Sequence, residues 1–404
     1  MSRVRIATGV ALVCACAALA AGGPNTRRPA GARQAPALPF SPAVKAGSFV
    51  YVSGMMATDA NRRLVAGDIR AQTRRVLDNL AVLLEKNGSR LSQVASVTVY
   101  LRNAGDFAAM NEAYRTYWPK DPPARTTVIA NLVLPEALVE IAMVADVDGA
   151  PRKVIRPAGW TAASNPYSYG ILCGDTLFTA GFLSRSGKDN SPIPGDMAAQ
   201  TRTVLDNAGE ALKEAGMSHA DVVSSRVYIT DVGLFPQMNA AYRAFFPKDP
   251  PSRATVKTGL TAAPYLVEIA MVAVKNSDRA PIAAPEPGGV PGKLNPNLSS
   301  AIRVGNRLYL SGTLGNTEAN RGDARAQTRE ALERLGRTLE AGGFEWNDVV
   351  EGTVYLTDIR DFAAMNEAYS PFFPSRLPAR ATVETGLVSP GGLVEIALTA
   401  VRRD

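Results

Sequence analysis

Apolar residues recur with two different periods along residues 49–147, and the periods take turns. Phe49-Val-Tyr-Val-Ser53 reads as a strand. Residues 68–86 place Ile69, Val76, Leu80, Leu83 and Leu84 on one face, which predicts an amphipathic helix that Gly88 stops. Residues 94–101 (VASVTVYL) alternate and are rich in β-branched side chains, so a second strand is expected. Residues 106–118 set Phe107, Met110 and Tyr114 at spacings of three and four, a second helix, which Pro119, Pro122 and Pro123 end. Residues 126–130 and 138–147 read as two more strands. The order is ββαβαββ. Strands interrupted by two helices predict an α+β sheet, largely antiparallel, with both helices on one face.

This pattern occurs three times. Pro123-Ala-Arg-Thr-Thr-Val128, Pro251-Ser-Arg-Ala-Thr-Val256 and Pro378-Ala-Arg-Ala-Thr-Val383 match, with Arg125, Arg253 and Arg380 spaced 128 and 127 residues apart. Fifteen residues after each arginine stands the glutamate of a Leu-Val-Glu-Ile-Ala run: Glu140, Glu268 and Glu395. Fourteen residues before each arginine stands an asparagine: Asn111, Asn239 and Asn366. Such a period is too long for a solenoid unit and fits a whole domain, triplicated. One sheet face in each repeat needs a cover. Three sheets packed side by side around a barrel-like core supply it within one chain.

The joins are rich in Pro, Gly and charge. The expected organisation is a repeat over 40–148, a linker at 149–160, a repeat over 161–275, a linker at 276–294 and a repeat over 295–404. Ahead of them, Arg3 and Arg5 precede an apolar run over 6–21 that ends in small residues, including Ala18-Leu19-Ala20. This reads as a signal peptide over 1–21 followed by a flexible lead-in over 22–39, and it points to a secreted or periplasmic protein. The alternative is a chain anchored to the membrane by an uncleaved N-terminus.

Composition narrows the chemistry. Of three cysteines, Cys14 and Cys16 lie in the leader, so the mature chain keeps only Cys173 and forms no internal disulfide. The only histidine is His219, read as a surface residue. A His-cluster metal site is excluded, and no metal or cofactor is expected. The net charge is +7, but residues 1–37 hold five arginines and no acid, leaving +2 for the repeats. Basic residues such as Arg62-Arg63 and Arg74-Arg75 lack interleaved aromatics, so neither a nucleic-acid partner nor, after cleavage, a membrane is expected.

Each repeat resembles a Rid (reactive intermediate deaminase, YjgF-type, or L-PSP) domain. The resemblance rests on the P-[AS]-R-[TA]-T-V segment, the L-V-E-I-A strand, the Ser53-Gly54, Ala180-Gly181 and Ser311-Gly312 strand ends, and D-x-x-A-Q-T-R before the first helix. It implies chorismate-mutase-like domains. Family members form homotrimers with clefts between subunits, so three repeats in one chain imply a monomer that acts as an intramolecular pseudo-trimer.

An arginine fork can bind a carboxylate bidentately, and a glutamate can orient water. Backbone N–H groups at Ser53-Gly54 and their counterparts are candidates to stabilise developing charge, and the asparagines to hold a polar substituent. The resemblance implies hydrolytic deamination of small 2-imino or enamine carboxylic acids, of the 2-iminobutanoate/2-iminopropanoate kind, to 2-keto acids and ammonia. Arg125, Arg253 and Arg380 would anchor the carboxylate, and Glu140, Glu268 and Glu395 would serve the water or the leaving nitrogen. A small-carboxylate binding protein of the same fold and, less favoured, an endoribonuclease are the alternatives. The repeats also differ. Where the family pattern expects a tyrosine, this chain has Phe40, Tyr167 and Leu298, and where many relatives carry a cysteine it has Thr127, Thr255 and Thr382.

Overall fold

The structure is a computed structural model that describes residues 38–147, 149–275 and 278–402. The expected signal peptide and most of the lead-in lie outside the described residues, and no described helix is long and apolar enough to cross a membrane.

Among the described residues six α-helices follow the predicted pairing: α1 (Ile69–Lys86), α2 (Phe107–Arg115), α3 (Met197–Glu214), α4 (Phe235–Arg243), α5 (Ala324–Gly342) and α6 (Phe362–Tyr369). The first helix of each repeat starts the same way. Asp68, Asp196 and Asp323 are N-caps whose carboxylates accept from the N–H of Ala71, Ala199 and Ala326 at 2.9, 2.8 and 3.0 Å. Gly88 follows α1 with φ +75°, as a helix C-terminus requires.

The glutamine of D-x-x-A-Q-T-R has a positioning role. Gln72, Gln200 and Gln327 each donate to a loop carbonyl, of Glu136, Pro264 and Gly391. Each also accepts from the N–H of Leu138, Leu266 or Leu393. The buried amide thus clamps the loop immediately ahead of each glutamate.

In repeat one the sheet runs in the order Ala43–Ala46, Phe49–Met56, Val139–Asp146, Val94–Leu101, Ala124–Ile129. The last two strands are parallel because α2 crosses between them, and the other neighbours are antiparallel. The register pairs Glu140 with Tyr100, as it pairs Glu268 with Tyr228 and Glu395 with Tyr355. We call Ala124–Ile129, Ser252–Lys257 and Ala379–Glu384 the arginine strands. Val139–Asp146, Val267–Val274 and Val394–Val401 are the glutamate strands.

Each repeat extends a neighbour's sheet with a two-residue strand. Gly259–Leu260 pairs with the first arginine strand, Gly386–Leu387 with the second and Asn131–Leu132 with the third. The exchange is cyclic. Among the described residues a single further bridge, Ala124 with Ser168, joins repeats one and two, and the three sheets do not close into a barrel. The barrel-like core is therefore a packing of three open sheets.

The helices cover one face of each sheet, as Leu77, Leu80 and Met110 do over Val97 and Ile141 in repeat one. The opposite faces pack on one another. Tyr100, Val128 and Leu132 of repeat one share a core with Tyr228 and Val256 of repeat two and Tyr355 and Val383 of repeat three. Among the described residues two ion pairs join repeats two and three: Arg226 with Glu351 at 3.6 Å and Arg307 with Asp175 at 2.6 Å. The first replaces threonine or serine at the matching places, Thr98 and Thr353 for Arg226 and Ser96 and Ser224 for Glu351.

The linkers add structure of their own. Arg152–Ile155 and Ala280–Ile282 form edge strands on the sheets of repeats two and three. Arg152 and Arg279 tie them back to the preceding repeat through the carbonyls of Val94 and Asp121, and of Val222 and Asp249. His219 is not a free surface residue. It is half-buried, with Nε2 3.0 Å from the Leu205 carbonyl and its ring against Phe245 and Phe246.

Candidate active site between repeats

Each arginine meets the glutamate of the following repeat. Arg125 of repeat one faces Glu268 of repeat two, Arg253 faces Glu395 of repeat three, and Arg380 faces Glu140 of repeat one. The backbone crossings fix these partners. Gly181 donates its N–H to the Arg125 carbonyl at 3.2 Å, and Gly312 donates to that of Arg253 at 3.1 Å. Ser168, Ser299 and Ser41 donate theirs to the carbonyls of Pro123, Pro251 and Pro378.

All six charged residues are buried, with 2–4% of their surface exposed. Burial pushes each glutamate carboxyl up to about 8, against the pull of a backbone N–H from Thr382, Thr127 or Thr255 and of the facing arginine. The same burial lowers the arginines, Arg380 to about 10. Among the described residues none of the three pairs closes to a salt bridge.

The guanidiniums are held from behind. Arg125, Arg253 and Arg380 each lie 4.7 Å from the ring centre of a tyrosine on the second helix of their own repeat, Tyr114, Tyr242 and Tyr369. Phe107, Phe235 and Phe362 stand at 5.7–5.8 Å. Some donors remain unused. Arg125 Nη1, Arg253 Nε and Nη1, and Arg380 Nε are buried without a hydrogen-bond partner. Leaving a buried charged donor unpaired costs at least about 1–3 kcal/mol, and an anion in the cleft relieves that cost.

Glycine makes room for each glutamate. A Cβ on Gly54, Gly181 or Gly312 would lie 1.9 Å from Oε1 of Glu140, Glu268 or Glu395. The requirement is space, since none of the three adopts a positive φ.

Several expected roles change. The N–H groups of Gly181 and Gly312 are spent on the partner strand, and those of Ser53, Ala180 and Ser311 on the carbonyls of Pro42, Tyr169 and Ser300. They are not free to stabilise developing charge. Ser53 and Ser311 instead use their hydroxyls to accept the N–H of Arg380 and Arg253, both at 2.8 Å, which Ala180 cannot do for Arg125. The asparagines also act on the arginine. Asn239 and Asn366 accept from Nη2 of Arg253 and Arg380 at 2.6 and 2.7 Å. Asn111 instead donates to Asn165 across the repeat boundary at 3.2 Å.

The remaining candidates line the same places. Thr127, Thr255 and Thr382 give backbone N–H groups to the glutamates, and their hydroxyls are buried and unpartnered. Phe40 puts its ring 5.1 Å from the Arg380 guanidinium, and Tyr167 stands near Arg125. Leu298 brings no ring to Arg253, which among the described residues keeps Phe235 and Tyr242. Sequence reasoning missed those two rings and their counterparts. Their signal was present in the Phe-x-x-Met-Asn-x-x-Tyr spacing of every second helix.

The fold and the repeated intersubunit-type cleft define a class, and sequence comparison places the chain in it. The Endoribonuclease L-PSP family profile matches residues 31–147, 160–275 and 293–402. The chain belongs to this family, also known as Rid or YjgF, and carries its domain three times. It is 43% identical over 113 residues to the 3-aminoacrylate deaminase RutC of Acinetobacter baylyi, covering 28% of this chain and 90% of that protein. A RutC family protein of Pyrococcus horikoshii is 42% identical over 108 residues, 26% of this chain and 86% of the relative. The crystal structure of a chorismatase superposes with a TM-score of 0.50 at 16% identity, covering 76% of this chain and 93% of the other, a likeness of fold.

Proposed function

We propose that the chain hydrolyses small 2-imino or enamine carboxylic acids to 2-keto acids and ammonium, at three clefts between its repeats. The observation that carries this reading is the set of buried, unpartnered guanidinium donors, each facing a glutamate of the next repeat. The cyclic strand exchange supports an intramolecular pseudo-trimer in which each cleft needs two repeats. The relative named a 3-aminoacrylate deaminase supports the reaction class.

In this reading the arginine holds the substrate carboxylate. Tyrosine and phenylalanine fix its fork in each cleft, joined by asparagine at Arg253 and Arg380. The C=N carbon then lies toward the glutamate. In the ionised fraction of the glutamate, which grows as pH rises toward 8, the carboxylate takes a proton from the water as it attacks that carbon and passes it to the nitrogen. The C–N bond breaks as the hydroxyl gives its remaining proton, through the same carboxylate, to the departing ammonia, so an iminium and water become a 2-keto acid and ammonium. A carboxyl with its pKa near 8 exchanges protons readily near neutral pH. The iminium is itself electrophilic, so these side chains suffice for the step.

The test is keto-acid release from an imine generated in situ by an amino-acid oxidase. Changing Arg125, Arg253 and Arg380 together to Ala should abolish acceleration. A triple variant as fast as the parent would refute the assignment. A parent that binds 2-keto acids without turnover would establish the binding protein instead, and ribonucleotide release by pure protein would establish the nuclease.

A further inference from the structure

The three clefts are not chemically equal, and the difference is largest between repeats one and two. Four residues after Gly181 stands Arg185, where repeats one and three have Thr58 and Asn316. Arg185 lies 5.6 Å from the ring centre of Tyr265, and its Nε is buried with no hydrogen-bond partner. Among the described residues no carboxylate forms an ion pair with it. Arg185 is thus half-buried, with the Tyr167 hydroxyl rather than a carboxylate as its near polar neighbour, so its fork stands beside the cleft with its charge unpaired by any anion among the described residues.

Arg185 lines an open surface groove of about 720 Å³ together with Asp206 and Glu210 and, toward the cleft, a small recess. The recess measures about 20 Å³, and Tyr167, Tyr169, Gly181 and Asn207 line it too. Two of these belong equally to the cleft. Gly181 is the residue against which Glu268 lies, and Tyr167 stands near both Arg125 and Arg185. The recess has room for a small terminal group and none for a ring. Its donor is a guanidinium, whose geometry matches a carboxylate.

We infer that the cleft between repeats one and two takes a 2-imino dicarboxylic acid, with Arg125 on the carboxylate beside the C=N carbon and Arg185 on the distal carboxylate. The inference rests on the deaminase reading for its substrate and adds the class that this cleft selects. The other two clefts, with Thr58 or Asn316 at the matching place, suit monocarboxylic imines.

The experiment uses the full chain with R253A and R380A silencing the other clefts. Imines are made in situ by oxidases from alanine, aspartate and glutamate, and kcat/KM is measured for each. A dicarboxylic imine should be preferred, and R185M should lower the ratio of dicarboxylic to monocarboxylic kcat/KM by about tenfold to hundredfold, as loss of a hydrogen bond to a charged group does. R185Q, which keeps a polar head, runs beside it, with melting curves to verify folding. An unchanged ratio in both folded variants, with both imines still hydrolysed, overturns the inference and leaves the deaminase reading standing. If no imine is hydrolysed, the deaminase reading falls and calorimetry with 2-oxoglutarate and 2-oxobutanoate decides. A preference for the dicarboxylate that R185M removes sustains the inference, and equal binding overturns it.

Discussion

Gly181→Ala tests how closely the glutamate must be placed. A Cβ at this position would lie 1.9 Å from Glu268 Oε1, 2.7 Å from its carboxyl carbon and 2.9 Å from Cγ. Ordinary contact begins near 3.4 Å, so the carboxyl must retreat by about 1.5 Å. It would leave the Thr127 N–H, already a long 3.4 Å from Oε1. A displacement of about 1 Å in a reacting group costs on the order of a hundredfold in rate. Overpacking a core costs roughly 1–3 kcal/mol, which a domain can survive. One substitution silences one cleft, so the decisive protein is G54A/G181A/G312A, in which all three glutamates meet the same obstruction. Its keto-acid release should fall about a hundredfold while its circular dichroism spectrum stays that of the parent. A folded triple variant within twofold of the parent's rate would refute the placement of the glutamates as a requirement of the reaction.

Two further predictions follow from the same geometry. With the other clefts silenced by substitution of their arginines, N239A or N366A should lower kcat/KM roughly tenfold or more, because a hydrogen bond to a charged group is lost. N111A should change it less than threefold, since Asn111 bonds Asn165, and steady-state kinetics separates these outcomes. The second concerns pH. Each glutamate stays protonated in the fold up to about 8 but ionises in the unfolded chain above about 4.5. Between those values the folded state holds more protons, so this contribution is complete below about 4.5 and is lost as pH rises toward 8, at ~1.4 kcal/mol per pKa unit and carboxyl. Melting temperatures across that window should fall less steeply in E140Q/E268Q/E395Q than in the parent, and equal slopes would contradict the raised pKa values.

Local pattern made most of the repeat legible. The period of 3.6 over Ile69, Val76, Leu80 and Leu84 gave α1 its buried face, and Asp68 its cap. The β-branched run over Val94–Leu101 marked the strand opposite Glu140. Arginine, glutamate and asparagine stood out because they recurred at fixed spacing. What stayed hidden was relational. Nothing local to Arg125 shows that its partner is Glu268, 143 residues away, rather than Glu140, fifteen away. That pairing is set by backbone crossings such as Gly181 on the Arg125 carbonyl. The glycines recurred too, but only the fold shows that the glutamate side chain approaches them and that the neighbouring N–H groups are occupied. Gln72 recurred visibly too, yet its clamp on residues 136–138 depends on a loop that sequence cannot place beside α1.

The central claim is that each cleft joins an arginine of one repeat to the glutamate of the next, and double variants test it most directly. Keto-acid release is measured for R125A alone and with E268Q, E140Q or E395Q added. Adding E268Q should change nothing further, because it strikes a cleft already lost, whereas E140Q or E395Q should each lower the rate again by removing a second cleft. If E140Q is instead the silent addition, the arginine and glutamate of a single repeat work together and the pairing across repeats is wrong.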